Sequence, residues 1–152
     1  MILCAHADAG LLKETNSCSR AGAQMYLSED DPFPRFNGAI LSIAKIIKFI
    51  MALAAESELA ALFITAQEMI PHCQTLIAMG WPQPKSPIQM DNLTAAGVTI
   101  KTIVPRRSKM MDMQFWWLSC CASQDQFGYY WDAGTKNWAN CHTKHHPDTY
   151  LY

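Results

Sequence analysis

The sequence predicts an α/β protein with a mixed five-stranded sheet, in which a three-stranded antiparallel meander is followed by βα units, with helices on the faces of the sheet. Three observations predict this order. Apolar and polar residues alternate over residues 23–28, apolar residues recur at steps of three and four from about Ala54, and strand-like segments return before Asp91 and over residues 127–131. A period of two is typical of strands, whereas the longer period is typical of amphipathic helices.

The composition is that of one globular domain. The chain has 152 residues, of which 50% are hydrophobic, enough to bury a core without disulfides. We expect a single domain over residues 1–152, with a frayed tail from about residue 147. The net charge of −1 excludes a polycationic nucleic-acid binder. Residues 1–10 lack the cationic segment of a secretory signal, so we expect an intracellular protein, cytoplasmic or nuclear, that is not secreted and not in a membrane.

The first strands are predicted near the start of the chain. Met1–Ala7 is an apolar strand that ends at Asp8, and the alternating residues 23–28 form the second strand of a hairpin. Residues 13–20 are polar and turn-like. Residues 29–38 contain two prolines and a glycine and therefore predict a loop.

Residues 39–53 are almost entirely apolar, and the pattern fits a membrane helix, a buried helix or a strand. Lys45 and Lys48 argue against a bilayer span, because charged side chains are costly inside a membrane. The segment is rich in β-branched and aromatic residues, which pack well on a pleated sheet. We therefore predict a third strand with a bend.

An amphipathic helix is predicted from about Ala54. Pro71 should kink this helix or split it in two, because proline removes a backbone donor. Gly80, followed by a proline, should end it. A short strand, Pro87–Met90, then leads into Asp91.

The last part of the chain predicts two or three helices and a strand. Residues 92–98 suit a brief helix, residues 106–121 a second long helix, and residues 127–131 the last strand. Asn137 is expected to cap a closing helix that Pro147 stops.

Acidic residues stand in three different contexts along the chain. Asp8 ends one predicted strand, Asp91 ends another, and the first long helix carries both Glu56 and Glu58, between which the apolar spacing does not choose. Carboxylates from such elements can meet at one edge of a sheet, and hard cations such as Mg²⁺ prefer their oxygens. Nucleases hold two such ions about 4 Å apart. A separation above about 10 Å between the acids would exclude a shared site.

The cysteines are spaced irregularly, and without a secretory signal we expect reduced thiols. An alternative is a zinc site in the C-terminal part, although the paired CxxC motif of strong zinc sites is absent. Its ligands would be Cys120 or Cys121, Cys141, His145 and His146. Aromatic residues of the same part are expected to pack in the core rather than to stack on bases: Trp116, Trp117, Tyr129, Tyr130, Trp131 and Trp138.

Five short segments occur in order along nearly the whole chain: HADA at 6–9, SRAG at 19–22, AESELAAL at 55–62, IQMDN at 88–92 and RSKMMD at 107–112. Together they resemble the ribonuclease H domain of copia-type retrotransposon polyproteins. The resemblance implies a ribonuclease H-like fold, two Mg²⁺ or Mn²⁺ ions, and hydrolysis of the RNA strand of an RNA·DNA hybrid made during reverse transcription. It also implies that the chain was once fused to an upstream reverse transcriptase.

The resemblance assigns catalytic, metal-binding roles to Asp8, Glu58 and Asp91, which match the first three acids of the family. It selects Glu58 over Glu56, because the family's acid directly precedes a bulky residue, here a leucine. Glu56 is then a helix N-terminal acid favoured by the helix dipole.

The fourth acid position departs from the family pattern. There an Asp follows an Ala just before a Thr-Lys pair, whereas this sequence has Asn140. In an intact site, one ion at Asp8 and position 140 would help generate the attacking hydroxide, and a second at Asp8, Glu58 and Asp91 would stabilise the leaving 3′ oxygen. An amide offers an oxygen without charge, so one ion should bind more weakly and the nuclease should be weak or inactive.

The basic residues Arg106, Arg107 and Lys109 would contact phosphates in such a protein, or would form an ordinary solvated helix start. Two hypotheses from other classes remain beside the nuclease. One is a catalytically decayed remnant that folds and binds hybrids without cutting them. The other is a small zinc-binding interaction module that uses the C-terminal Cys and His residues.

Overall fold

In a computed structural model, the described residues are 1–48, 51, 53–92 and 109–144. They form a five-stranded sheet in the order β3-β2-β1-β4-β5. The elements, in chain order, are β1 (Ile2–Gly10), β2 (Ser19–Ser28), β3 (Leu41–Ile47), α1 (Ala54–Ala78), β4 (Ser86–Met90), α2 (Lys109–Ser123), β5 (Phe127–Trp131) and the short α3 (Asn140–Thr143).

The sheet is mixed, as predicted. β1 pairs antiparallel with β2 and β2 antiparallel with β3, which makes the predicted meander. β4 runs parallel to both β1 and β5. Helices connect the parallel strands, because strands that run the same way need a crossover.

The first hairpin is longer than predicted. β1 pairs with β2 from Ile2 opposite Ser28 to Gly10 opposite Arg20. Asp8 therefore lies inside β1 rather than beyond its end. The far end of this ladder consists mainly of alanine and glycine, whose weak strand propensity explains why the sequence pattern did not predict it.

The third strand and the first helix also differ from the prediction. β3 covers Leu41–Ile47 of the predicted 39–53, and its last residue lies opposite Ser19, the first residue of β2. Residues 49, 50 and 52 of the predicted strand lie outside the described part of the chain. α1 runs unbroken from Ala54 to Ala78 through Pro71, so the predicted split is wrong. Proline costs about 3 kcal/mol in a helix interior. The buried residues of α1 outweigh that cost by packing against the sheet: Leu59, Leu62, Ala66 and Met69. α1 ends at Ala78, before Gly80, which has a φ of +90°.

The C-terminal elements confirm most of the prediction. α2 and β5 coincide with the predicted helix and strand, apart from residues 106–108, which lie outside the described part of the chain, as do residues 93–98 of the predicted brief helix. The capping prediction for Asn137 is wrong, because Ala139 is the N-cap of α3. The Asn137 side chain instead bonds the backbone of Ala7 and Ala139. Pro147 and the predicted tail fall outside the described residues.

The main core lies between the sheet and the two long helices and includes Leu3, Met25, Ile88, Leu118 and Phe127. Trp117 and Tyr129 pack against it, as expected. The same expectation is wrong for three other tryptophans: Trp116, 63% exposed, Trp131, 45% exposed, and Trp138, 56% exposed. All six cysteines are free thiols. Among the described residues, no helix combines the length and apolar character needed to cross a bilayer.

Candidate metal centre

Two of the predicted acids lie at the same edge of the sheet. β1 and β4 are parallel neighbours, with Ala5 opposite Ile88 and His6 opposite Gln89. Continuing this register puts Asp8 level with Asp91, the first residue after β4. The indole Nε1 of Trp131 donates to the backbone carbonyl of Asp91 at 3.0 Å and so ties β5 to this point.

Glu58 reaches the same edge from the beginning of α1. It lies just past the first turn of the helix, in a buried stretch that runs from Ser57 to Leu62. The backbone N–H of Ala9 donates to Glu58 Oε1 at 3.3 Å, which holds the carboxylate against the end of β1. Glu56 instead accepts a hydrogen bond from the backbone N–H of Leu53 at the helix start, the helix-terminal role predicted for it.

The three side chains form one cluster. One oxygen from each of Asp8, Glu58 and Asp91 lies within 4.8 Å of the others. Asp8 is 1% exposed and Glu58 9% exposed, whereas Asp91 is half-buried and opens the cluster towards solvent. The separation is well inside the limit of about 10 Å beyond which the acids could not share a cation pair.

The electrostatics of the cluster favour a cation. Burial raises the pKa of Asp8 to about 7, and the neighbouring Asp91 adds to this, while the Lys144 ammonium opposes it. Burial raises the pKa of Glu58 to about 9, and the charges of Asp8 and Asp91 add to the shift. Buried carboxylates this close keep their protons unless a positive charge compensates them.

The donor set fits a hard divalent cation. Three carboxylates converge on one point, and ions such as Mg²⁺ are bound by carboxylates in this way. In the part of the chain that the structure describes, no other group of three or more Asp, Glu, His or Cys side chains is close enough to hold a metal. Cys120, Cys121 and Cys141 therefore form no such group there, and His145 and His146 lie outside the described residues.

The fourth predicted position lies beside the cluster, at the first residue of α3. The Asn140 amide nitrogen donates to the carbonyl of Gly134, and the ammonium of Lys144 donates to Asn140 Oδ1. Gly134 is in turn close to Asp91, because a Cβ added to this glycine would lie 2.8 Å from Asp91 Oδ2. The hydroxyl of Thr143 donates to Asp8 Oδ2. α3 therefore bonds Asp8 directly through Thr143 and lies near Asp91 through Gly134.

Glycines allow α3 to lie this close to the hairpin. A Cβ on Gly22 would lie 2.7 Å from Cγ2 of Thr143, and one on Gly10 would lie 2.6 Å from the Thr143 carbonyl oxygen. Neither distance occurs for real Cβ atoms. Gly22 belongs to one of the five segments that carry the family resemblance, and its role here is to leave room for α3.

His6 fixes the chain just before α3. The backbone N–H of Trp138 donates to His6 Nδ1 at 3.1 Å, so Nε2 carries the proton and donates to the Tyr26 hydroxyl at 3.0 Å. That hydroxyl donates to the carbonyl of Pro34 at 3.3 Å. Burial lowers the pKa of His6 to about 4. His6 is thus a neutral, fully bonded core residue that positions residues 137–139 over β1.

Several site residues escaped sequence reasoning. Thr143 and Lys144 form the Thr-Lys pair that follows the fourth acid position in the family pattern, so the sequence could have indicated that both lie near the site. Trp131 had no signal beyond strand alternation. The predicted phosphate contacts Arg106 and Arg107 lie outside the described residues. Lys109 is the first residue of α2, and its side chain also lies outside the described part of the structure.

Neither a protein-family model nor a curated protein matches the chain. Solved structures do. The match to the N-terminal RNase H domain of Rv2228c from Mycobacterium tuberculosis covers 93% of this chain and 89% of the other, at 14% sequence identity and a TM-score of 0.64. LC11-RNase H1, isolated from compost by a metagenomic approach, matches over 99% of both chains at 11% identity and a TM-score of 0.66. RNase H1 of Halobacterium salinarum matches over 91% of both at 11% identity and a TM-score of 0.56. The chain therefore has a ribonuclease H-like fold.

Proposed function

We propose that this domain is a ribonuclease H-type endonuclease that hydrolyses the RNA strand of RNA·DNA hybrids with the help of Mg²⁺ or Mn²⁺. One observation carries the proposal: in a ribonuclease H-like fold, Asp8, Glu58 and Asp91 converge within 4.8 Å of one another. A solved neighbour, LC11-RNase H1, was crystallised with an RNA/DNA hybrid, which supports the substrate class. An intracellular location, where such hybrids form, follows from the proposal.

The three carboxylates would hold the cation, and the rest of the site would keep them in place. Bound there, divalent cations would supply an activated water and stabilise the leaving 3′ oxygen. Asp8 and Glu58 would release their retained protons on loading, since a nearby positive charge favours the ionised form. The Ala9 N–H orients Glu58, and the Thr143 hydroxyl orients Asp8.

Asn140 is expected to weaken this activity. Its amide oxygen carries no formal charge and accepts a hydrogen bond from Lys144. A second candidate function follows from this observation: a decayed remnant that still binds hybrids but does not cut them. The two candidates differ only in whether measurable hydrolysis remains.

A cleavage assay on an RNA·DNA hybrid with labelled RNA distinguishes them. The wild type, Asn140→Asp and the inactivated control Asp91→Asn are compared in Mg²⁺ and in Mn²⁺. We expect Asn140→Asp to cut at least about tenfold faster than the wild type, because it restores a charge where water is partly excluded. Asp91→Asn should not cut.

If neither the wild type nor Asn140→Asp cuts, and both are folded, the enzyme proposal fails. Hybrid binding by the same proteins, measured by fluorescence anisotropy in Ca²⁺, would then support the remnant. Stoichiometric, tightly held zinc in the purified protein would favour the zinc-binding module instead.

Arg106, Arg107 and Lys109 are proposed to contact the phosphates of the hybrid. Each alanine substitution should weaken binding and reduce the slope of log affinity against log salt by about 0.9 for each lost phosphate contact. Unchanged salt dependence in the triple variant would assign these residues to an ordinary solvated helix start.

The origin is proposed to be a copia-type retrotransposon polyprotein with an upstream reverse transcriptase. The support is the order of five matching segments along the chain. Closely related genomic copies with Asp at position 140 would support a recent decay of an active element. Copies that all carry Asn would argue against it.

A further inference from the structure

Lys144 places a positive charge beside the acid cluster, on the residue that follows the Asp8-bonded Thr143. It follows α3 directly, its backbone N–H bonds the Asn140 carbonyl at 3.1 Å, and its ammonium donates to Asn140 Oδ1. An exposed lysine four residues from a helical polar residue often makes such a contact without consequence. Here the contact has a consequence, because the site of the missing fourth carboxylate is also the place where the ammonium binds.

A further observation fixes this charge beside the acids. The preceding residue, Thr143, is bonded to Asp8 through its hydroxyl, so the backbone that carries Lys144 is fixed to β1. The ammonium is therefore held near the carboxylates by two separate hydrogen bonds of α3.

The charges of the site balance with one divalent ion. Three carboxylates and one ammonium leave two net negative charges, whereas a site with a fourth carboxylate and no ammonium would carry four. One divalent ion neutralises the two negative charges of this site, whereas two divalent ions would neutralise the four charges of a site with a fourth carboxylate. A second ion beside Asn140 would have to displace the ammonium and bind a neutral amide oxygen.

We infer that Lys144 takes the place of the second cation, so that the site binds a single divalent ion at Asp8, Glu58 and Asp91 with the lysine ammonium beside it. This inference rests on the proposed function and specifies its metal content. Lys144 is a positioning residue that acts through charge, since it contacts Asn140 and not the reacting atoms. Asn140 and Lys144 act together, because the amide oxygen of Asn140 holds the Lys144 ammonium in place.

Direct measurement of Mn²⁺ binding tests this inference without an activity assay. Electron paramagnetic resonance of free Mn²⁺ gives the number of bound ions and their affinity for the wild type, Lys144→Met, Lys144→Arg and the distant control Lys85→Met. Lys85 is an exposed lysine paired with Asp125, before the start of β4 and away from the acids. We expect one ion in the wild type and about tenfold tighter binding in Lys144→Met, the order expected when one like charge near a divalent ion is removed. Lys144→Arg and Lys85→Met should resemble the wild type.

A second pair of variants tests the position of the second ion. Asn140→Asp supplies the missing charge and should admit a second Mn²⁺, and Asn140→Asp/Lys144→Met should bind that ion about tenfold more tightly still, because the competing ammonium is gone. Two ions of similar affinity in the wild type, or equal affinity in Lys144→Met and Lys85→Met, would overturn the inference and leave the proposed function intact. No bound ion in any of the proteins would overturn the proposed metal site and this inference together.

Discussion

Replacing Glu58 by glutamine should stabilise the metal-free protein, although it removes a proposed metal ligand. Glu58 is 9% exposed and lies within 4.8 Å of two other carboxylates. Burial raises its pKa from 4.5 to about 9. Glutamine has nearly the shape of the protonated acid and never ionises, so it does not pay the cost of burying a charge.

The sign and size of the effect follow from proton linkage. Because the folded protein holds the Glu58 proton more tightly than the unfolded chain, the contribution of Glu58 to the free energy of unfolding is greatest below pH 4.5 and falls as pH rises towards about 9. Each pH unit in this range lowers the free energy of unfolding by about 1.4 kcal/mol through Glu58, so at pH 7 the wild type has lost about 3 kcal/mol of stability. Glu58→Gln should avoid this loss and raise Tm by about 6–12 °C, at 2–4 °C for each kcal/mol in a domain of this size.

Urea denaturation in EDTA, repeated between pH 4.5 and pH 8, measures this difference. The matched control is Glu56→Gln, two residues earlier in the same helix, where an amide oxygen can still accept the Leu53 N–H. Its free energy of unfolding should follow the wild type across the range. Addition of Mg²⁺ or Mn²⁺ should stabilise the wild type and stabilise Glu58→Gln less, since a ligand adds stability only to the state that binds it.

The reasoning would be refuted if Glu58→Gln were no more stable than the wild type at pH 7 without metal. Parallel pH profiles of the two proteins would refute it as well, because the difference should grow as pH rises. A stabilisation of equal size in Glu56→Gln would show that the gain does not depend on the acid cluster.

Three further substitutions test the structure around the site, each by urea denaturation. Gly22→Ala should lower the free energy of unfolding by about 1–3 kcal/mol, because the new methyl group would lie 2.7 Å from Thr143. The control Gly128→Ala should be nearly neutral, because its methyl group would meet only a flexible lysine side chain. Equal effects of the two substitutions would contradict the packing of α3. Asn137→Ala removes two buried hydrogen bonds and should cost about 2–4 kcal/mol; wild-type stability would show that these bonds do not anchor the segment. Leu118→Ala, at a fully buried position, should cost about 2–5 kcal/mol, and a loss below 1 kcal/mol would place Leu118 outside the core.

The periodicity of the sequence predicted the type and order of the elements. α1, α2, β4 and β5 lie where the apolar spacing put them, because each buries one face and the pattern records which face. Boundaries were less predictable. β1 continues past Asp8 because β2 offers partners to Gly10, and α1 continues through Pro71 because its buried face packs on the sheet. Both depend on residues distant in sequence.

The candidate site shows the same division. The three acids were named from their contexts, with the family pattern needed to choose Glu58 over Glu56. The exposure of Trp131, and its bond to Asp91, had no counterpart in the sequence pattern. Asn140 was identified as a changed position, but its contact with Lys144 was not.

By itself, the sequence determined which residue types are available: three acids in separate elements, an amide in a fourth place, and a lysine shortly after it. Only the tertiary structure decided that the three acids meet at one point in space. The distances between Asp8, Glu58 and Asp91 depend on the parallel register of β1 with β4 and on how α1 and α3 pack at the sheet edge. Register and packing arise from contacts between residues far apart in the chain, whereas periodicity records only each residue's near neighbours.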